Sequence, residues 1–565
     1  MHFLNLSLPP ASAARHRFTV HPPMNSPRES GFAWWRLLNR YQWFVLIVAS
    51  LGWLLDCMDQ QLFNLARQPA MKELLTVSLG RPPSPAEIGE YGPYATAIFL
   101  LGWASGGLIF GVLGDRWGRA KTMLVTILMY SGCTGLSAFA REFWDFALYR
   151  FLTGLGVGGE FAVGVALVAE VMPTGARTYA LSLLQALSTV GNIAAAFTSI
   201  TLGQLEQSGA DGKLAGWAAW RWMFVVGAVP AILVVFVRRG LKEPERWQAA
   251  QRDPELRKKM GDYGELFGNP NWRPPATVAG LLLVTGILIA FLGPADWPKR
   301  PIVFGFSVAA LVAGLRVVFG GGGDTTYRRS AVAGLLLALS GVIGVWGIGF
   351  FSFDLIRPVV TGKLKDFVNH PMVVEPGFRH SVAAWLGFTD MRPELVAGKV
   401  TVWVGITSMM QNLGSFFGIY TFGLVAERIG RRPAFAGALI AAAGSTAAVF
   451  GLLREFSQIF YLIPLMGFCQ LALFGGYAIY FPELFPTRLR STGTSFCYNV
   501  GRFVAASGPA TLGLLTAVVY REKAEPFRYA AITMCAVFGV GLLALPFAPE
   551  TRGQPLPEED RGFGH

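Results

Sequence analysis

Two stretches, GVLGDRWGRAK at Gly111–Lys121 and GLVAERIGRR at Gly423–Arg432, share one order of residues: glycine, three residues, an acid, arginine, one residue, glycine, arginine. Each joins two apolar runs, so each reads as a short turn between helices. A basic turn needs only its arginines to stay on one side of a membrane. The acid and the spaced glycines exceed that need. Gly111 and Gly423 let neighbouring helices approach closely. Asp115 and Glu427 are placed to accept hydrogen bonds from a helix terminus or from Arg116, Arg119, Arg428 or Arg431, with Gly118 and Gly430 completing the turn. The recurrence marks two related halves, each with a latch expected to gate the cytoplasmic face. The plainer alternative is a topogenic loop with no moving part.

Working outward from these turns, the 565-residue chain is 53% hydrophobic and 15% charged, against ~25% charged for soluble domains. Runs such as TMLVTILMYSGCTGLSAFA and WMFVVGAVPAILVVFV suit bilayer-crossing helices, and no segment alternates as a membrane barrel requires. The expected fold class is an all-α polytopic membrane protein. The net charge of +13 does not signal nucleic acid. It clusters at Arg116, Arg119 and Lys121, at Arg238, Arg239, Lys242 and Arg246, at Arg428, Arg431 and Arg432, and at Arg488 and Arg490. Alternate threading puts all of these turns on one side, the positive-inside pattern. The cysteines (57, 133, 469, 497 and 535) lie in apolar segments and are expected to be unpaired. His370 and His380 stand in a polar loop without matching ligands, so no metal or other cofactor is expected.

Apolar spans fall near 43–66, 91–113, 121–140, 143–170, 179–203 and 217–238, then 275–293 and 301–319, then 330–356, 398–425, 433–452, 457–481, 488–519 and 526–547. Fourteen crossings return both termini to the cytoplasm. The expected domains are a flexible tail 1–40, a six-helix bundle 41–240 and a charged cytoplasmic segment 241–274. An inserted hairpin and joint 275–327, a second bundle 328–548 with an outward loop 357–397, and a tail 549–565 complete the chain. Lys299 and Arg300 sit in what should be an external turn, an exception to the charge rule. PPATVAGLLLVTGILI of the hairpin resembles RRSAVAGLLLALSGVI of the following helix, through either a local duplication or two similar lipid-facing surfaces.

GVLGDRWGRAK, RFLTGLGVGGE, AERIGRR, YFPELFPTRLR and APETRGQPLPEE together resemble the major facilitator superfamily. They are most similar to its metabolite–proton symporter and sugar-porter-like branches. The resemblance covers roughly 40–240 and 328–560, two six-helix halves, and leaves the hairpin outside the usual twelve helices. It implies two bundles that rock about a central site, a bacterial inner-membrane location and no catalytic chemistry.

Within the first span, GWLLDCMDQQLFNLA places Asp56 and Asp59 on one helix face. Ionisable groups at membrane depth are costly unless used, and two carboxylates desolvated together titrate as a pair that can hold one proton. The alternative is an aspartate near a helix end, paired with a basic group or water. The resemblance implies an acidic pair here in proton symporters, and an acid at Glu160, which follows the slim face made by Gly154, Gly156, Gly158 and Gly159. Glu160 could instead form a structural ion pair with Arg150 or Arg177. Arg502, well past the basic cluster in SFCYNVGRFVAASGPA, suits bidentate capture of a carboxylate, with Asn499 and Tyr498 as neighbours. Asp354, Gln411 and Asn412 are expected to face the same path.

These residues point to proton-coupled import of a small organic anion such as a monocarboxylate, aromatic acid or sugar acid, by a monomer in the bilayer. A sugar or polyol porter and a proton-driven efflux antiporter are the alternatives, with a non-transporting sensor behind them. No G-x-x-x-x-G-K-[ST] loop for ATP is present.

Overall fold

Lipid offers a backbone N–H or C=O no partner, so the apolar runs close their hydrogen bonds internally as helices. The computed structural model describes residues 33–208, 214–232, 240–292, 299–323, 325–369, 396–505 and 508–557. The first half contains α1 (Arg40–Leu79), α2 (Pro85–Trp117), α3 (Arg119–Ser137), α4 (Phe143–Val171), α5 (Thr174–Ser208) and α6 (Ala219–Gly227). Short helices α7 (Glu245–Arg252), α8 (Pro254–Lys259) and α9 (Tyr263–Phe267) lead to a hairpin of α10 (Arg273–Leu292) and α11 (Lys299–Phe319). The second half holds α12 (Thr326–Val342), α13 (Ser352–Asn369), α14 (Val396–Ile429), α15 (Arg431–Leu452) and α16 (Ile459–Glu483). It ends with α17 (Arg490–Ala505), α18 (Gly508–Leu514), α19 (Pro526–Met534) and α20 (Val537–Ala544).

Among the described residues, eight helices are long and apolar enough to cross a membrane. That is fewer than the fourteen crossings expected from sequence. The shortfall has local reasons: α3 opens on Arg119 and Lys121, α6 gives way to a 3-10 turn at Val229–Ile232, and residues 233–239 fall outside the described chain. His370 and His380 also lie outside it. In the other direction, α1 runs three turns past the expected end at 66. Asn39 and Gln42 form a reciprocal cap at its start, and Gly80 closes it at φ 66°. Its extension is held by Ala70, Met71, Leu74 and Leu75, all buried.

The two halves repeat one packing scheme. In the first, α4 packs against α2 and α3, and α1 packs against α5; in the second, α16 packs against α14 and α15, and α12 against α17. Glycines set the spacing. A Cβ at Gly102, Gly106, Gly154 or Gly158 would strike the backbone of the facing helix, as it would at Gly414, Gly418 and Gly467. The halves then meet along two seams, α2 against α17 and α5 against α14. The latch turns also match. Gly118 has φ 113° and Gly430 φ 102°, a region that side chains disfavour, so each turn can start the next helix within one residue.

Before α1, residues Trp34–Leu37 form a 3-10 turn. Sequence places them in a flexible tail, yet Trp34 is buried.

Candidate functional site

A cavity lies between the two seams. Its walls are Trp53, Cys57, Gln60 and Gln61 of α1, Trp103 of α2, and Gln185, Ser188 and Asn192 of α5. The second half contributes Trp346, Phe353, Ser408, Gln411, Asn412, Phe474, Tyr498 and Arg502. About 90 Å³ is free inside, well below the ~300–1,000 Å³ of ordinary small-molecule sites. The bundles are therefore drawn close around it.

One seam is cationic. The Arg502 guanidinium stacks 4.1 Å from the Trp103 ring centroid and 4.2 Å from that of Tyr498. It donates to the Tyr498 carbonyl at 2.8 Å and to Asn499 Oδ1 at 3.0 Å. Among the described residues its Nε has no hydrogen-bond partner, nor do the indole N–H groups of Trp53 and Trp103. The other seam is rich in amides: Asn192 Nδ2 donates to Asn412 Oδ1 at 2.9 Å across the halves, and the buried Gln185 Oε1 has no hydrogen-bond partner among the described residues.

The acids lie beside the cavity in the first half. Asp56, Asp59 and Glu160 are 1%, 0% and 1% exposed. Asp59 faces Arg150 at 3.7 Å. That guanidinium also donates to Ser137 at 2.8 Å, Thr153 at 3.0 Å and Thr134 at 3.2 Å, and lies 4.7 Å from the Phe224 ring centroid. The Glu160 carboxylate rests on Gly52, where a Cβ would overlap Oε1. One helical turn on is Asp56, and none of the four Asp56 and Glu160 carboxylate oxygens has a hydrogen-bond partner among the described residues.

The latch motifs meet the opposite half at the basic face. Asp115 accepts from Ser491 N at 3.1 Å, Thr492 N at 2.9 Å and Thr492 Oγ1 at 2.6 Å, and pairs with Arg119 at 3.0 Å. It caps the N-terminal end of α17, where the helix dipole favours an anion. Arg119 also binds Glu170 at 3.0 Å and the Thr487 carbonyl at 2.7 Å, and Arg490 binds Glu170 at 2.7 Å. In the second copy it is Arg431 that crosses, donating to Thr178 at 2.9 Å while holding Glu427 and Glu483, each at 3.0 Å. Two further acids cap the helices after the turns. Glu243 accepts from Arg119 N, Ala120 N and Lys121 N, and Glu550 from Arg431 N and Arg432 N.

The family model for sugar (and other) transporters matches residues 90–263. A Haemophilus influenzae protein described as a metabolite transport protein is 25% identical over 92% of this chain and 99% of its own. The cis,cis-muconate transport protein of Acinetobacter baylyi is 26% identical over 76% and 79%. The proton:xylose symporter XylE superposes with a TM-score of 0.57 at 16% identity, covering 91% of this chain and 98% of that one. The chain is similar in sequence to metabolite and sugar transporters over most of its length and shares the fold of the major facilitator superfamily. It is a secondary transporter that works by alternating access, moving a small metabolite rather than transforming it.

In this transporter, Arg502, Gln411 and Asn412 line the cavity. Asn499 does not: it is buried in the seam, with Nδ2 donating to Ser495 at 3.0 Å and to the Gly158 carbonyl at 3.4 Å. Asp354 is exposed and Phe353 takes the inward position. A π-helical stretch at Ile343–Ile348 and a 3-10 turn at Gly349–Phe351 shift the register, so a uniform helical wheel misplaces everything after them. Asp59 faces Arg150 of α4, whereas Asp56, on the same helix face, makes no hydrogen bond among the described residues. Among the latch residues, Gly111 packs on Ser495 and Gly423 on Ser182 in the opposite half. Arg116 instead donates to the Met260 carbonyl at 3.0 Å, and Arg428 is exposed. Sequence reading passed over Gln185 and Asn192, although Gln185, Ser188 and Asn192 form a polar stripe at helical spacing.

Proposed function

We propose that the transporter imports a small organic anion together with protons, the anion's carboxylate held by Arg502 and the protons by the acid cluster of Asp56, Asp59 and Glu160. The single observation that carries this reading is the buried guanidinium with a free Nε on the cavity wall, flanked by two unpartnered indole N–H groups. A carboxylate satisfies all three donors. Gln185, Gln411, Asn192 and Asn412 suit hydroxyl or carbonyl groups on the rest of the solute, which fits a sugar acid or hydroxy acid. The muconate relative, itself named for an organic-acid substrate, supports the same class.

In this reading the basic face is cytoplasmic, with both termini there, and its latch is closed: Asp115, Arg119 and Arg431 hold the halves together below the solute. Anion and proton enter from outside, the latch breaks, and the bundles rock. An elementary charge moved through the field gains about 2.3 kcal/mol per 100 mV. The α10–α11 hairpin adds two crossings to twelve, giving fourteen in a bacterial inner membrane. Helices of 20 and 21 residues support that count. The monomer suffices, since both seams and the cavity are complete within one chain.

The amide-rich seam also favours a sugar or polyol porter as the second reading. Uptake into proteoliposomes, with pH and voltage varied independently, separates the two. Gradient-dependent accumulation of carboxylates, lost in Arg502→Gln while neutral analogues are unaffected, supports the first reading. Sugar uptake indifferent to both the gradient and Arg502 supports the second.

A further inference from the structure

We infer that Arg67, together with Thr96, forms an outer anion-binding site that takes the substrate's carboxylate before Arg502 does. This deepens the organic-anion reading and rests on it. The path then has two cationic stations in series.

Both arginines dock on one stripe of α2. Arg502 stacks on Trp103, and Arg67 Nη1 donates to Thr96 Oγ1 at 2.7 Å. Thr96 and Trp103 are nearly two turns apart, so they share a helix face with about 10 Å between them. On α1 the spacing is the same: Arg67 follows Gln60 of the cavity wall by nearly two turns. Asn64 stands between, donating to Gln61 Oε1 at 3.4 Å. Two helices thus put Arg67 two turns from the cavity, on the side away from the basic face. It lies ~40 Å along α1 from Arg40, past the ~30 Å of hydrocarbon and so at the outer water boundary.

The guanidinium there lacks a counter-charge. Arg67 is half-buried, and among the described residues it makes no ion pair and donates only to Thr96. Glu73 and Glu87, acids at the same end, are taken up by Arg221 at 2.8 Å and Arg81 at 2.6 Å. The side chain is also held ready. Its stem lies against Gly92, where a Cβ would stand 3.6 Å from Nε, and its head reaches one turn further in. Thr96 Oγ1 donates in turn to the Gly92 carbonyl at 3.2 Å, which orients the lone pair that receives Nη1. The edge made by Nε and Nη2 stays open, and such an edge grips a carboxylate bidentately. Fastening α1 to α2 would need no charge and no free edge.

An anion arriving from outside meets Arg67 first. A cation at the mouth of a low-dielectric cleft raises the local anion concentration and the on-rate. Its hold is the weaker of the two, because water and salt screen a half-exposed guanidinium. Arg502 is fully buried and has two indole N–H groups beside it. That difference in hold carries the carboxylate inward, and Asn64 and Gln61 offer amides along the way.

Labelling and uptake by the full-length transporter in right-side-out lipid vesicles test the site, with benzoate as probe. An arginine-directed glyoxal reagent added outside should modify Arg67, as read by peptide mass spectrometry. Benzoate should slow that modification in the wild type and equally in Arg502→Gln. An Arg67 that resists the reagent, or that benzoate shields only while Arg502 is present or not at all, overturns the inference. In uptake, Arg67→Gln should raise KM for benzoate about tenfold while lowering the maximal rate far less, and should flatten the dependence of KM on ionic strength. Arg67→Lys, which keeps the charge without the bidentate edge, should fall between. An unchanged KM, or a maximal rate that falls together with the melting temperature, overturns the inference by making Arg67 a fastener between helices. If the wild type accumulates no benzoate while Arg67 is still shielded, the organic-anion transport reading fails and the outer site stands.

Discussion

Arg150 and Asp59 face each other at 3.7 Å with both side chains fully closed to solvent. Removing one partner of such a pair leaves an uncompensated charge, at a cost of about 3–5 kcal/mol, whereas replacing both with uncharged side chains is often neutral. Arg150→Met and Asp59→Asn should each lower the melting temperature sharply, and the double variant should recover most of the loss. Thermal unfolding in detergent checks this. Additive losses would mean that the two residues stabilise the bundle independently.

The two copies of the latch make different bonds across the halves. Asp115 accepts two backbone N–H groups and a hydroxyl from the opposite half, while Glu427 stays with Arg431 on its own side. Hydrogen bonds to a charged group contribute about 1.5–3 kcal/mol. Asp115→Asn should therefore open the basic face in at least tenfold more molecules, and Glu427→Gln should change it little. Accessibility of a cysteine placed behind the latch, measured with a membrane-impermeant thiol reagent, reads both. Equal responses would make the two copies equivalent gates.

The repeated turn was legible because its glycines are forced: φ near 100° recurs at Gly118 and Gly430, and sequence shows glycine where only glycine fits comfortably. The helices were legible for the same kind of reason, since lipid leaves the backbone one choice. Partners were not. A three-residue spacing puts Asp56 and Asp59 on one face but says nothing about which residue of α4 meets each. Asp354 was misplaced by a π-helical stretch that no hydropathy pattern announces. Gln185 was passed over because a single amide in an apolar run carries no sign of whether a cavity or a neighbouring carbonyl will face it.

Glu550 provides a pH-dependent restraint outside the membrane. Partial burial pushes its carboxyl up, but the backbone N–H groups of Arg431, Arg432 and Arg552 outweigh that, and the net shift is downward. A group depressed on folding stabilises above its unfolded value, ~4.3 for glutamate, and loses that contribution as pH falls through the lower folded value. Caps of this kind are worth about 0.5–2 kcal/mol. Glu550→Gln should thus be less stable than wild type at neutral pH, and the gap should close only in acid, below the ordinary glutamate range. Melting curves across pH test it; a gap independent of pH would assign the effect to packing.

Trp34 touches both halves at the basic face. Its ring stacks with Tyr179 of α5, centroids 6.2 Å apart, and its Nε1 donates to Tyr420 of α14 at 3.2 Å. The α5–α14 seam must part on this side for the cavity to open toward it, and Trp34 cannot keep both contacts when it does. Burial of a large aromatic side chain contributes about 1.5–3 kcal/mol, so Trp34→Ala should shift the closed-to-open ratio by about tenfold. Trp34→Phe, which keeps a ring but no donor, should fall between. Distances between spin labels on the basic-face ends of α5 and α14 report the ratio directly. If all three proteins give the same distribution, the seam closes without the tryptophan, and its burial serves only to anchor the start of α1.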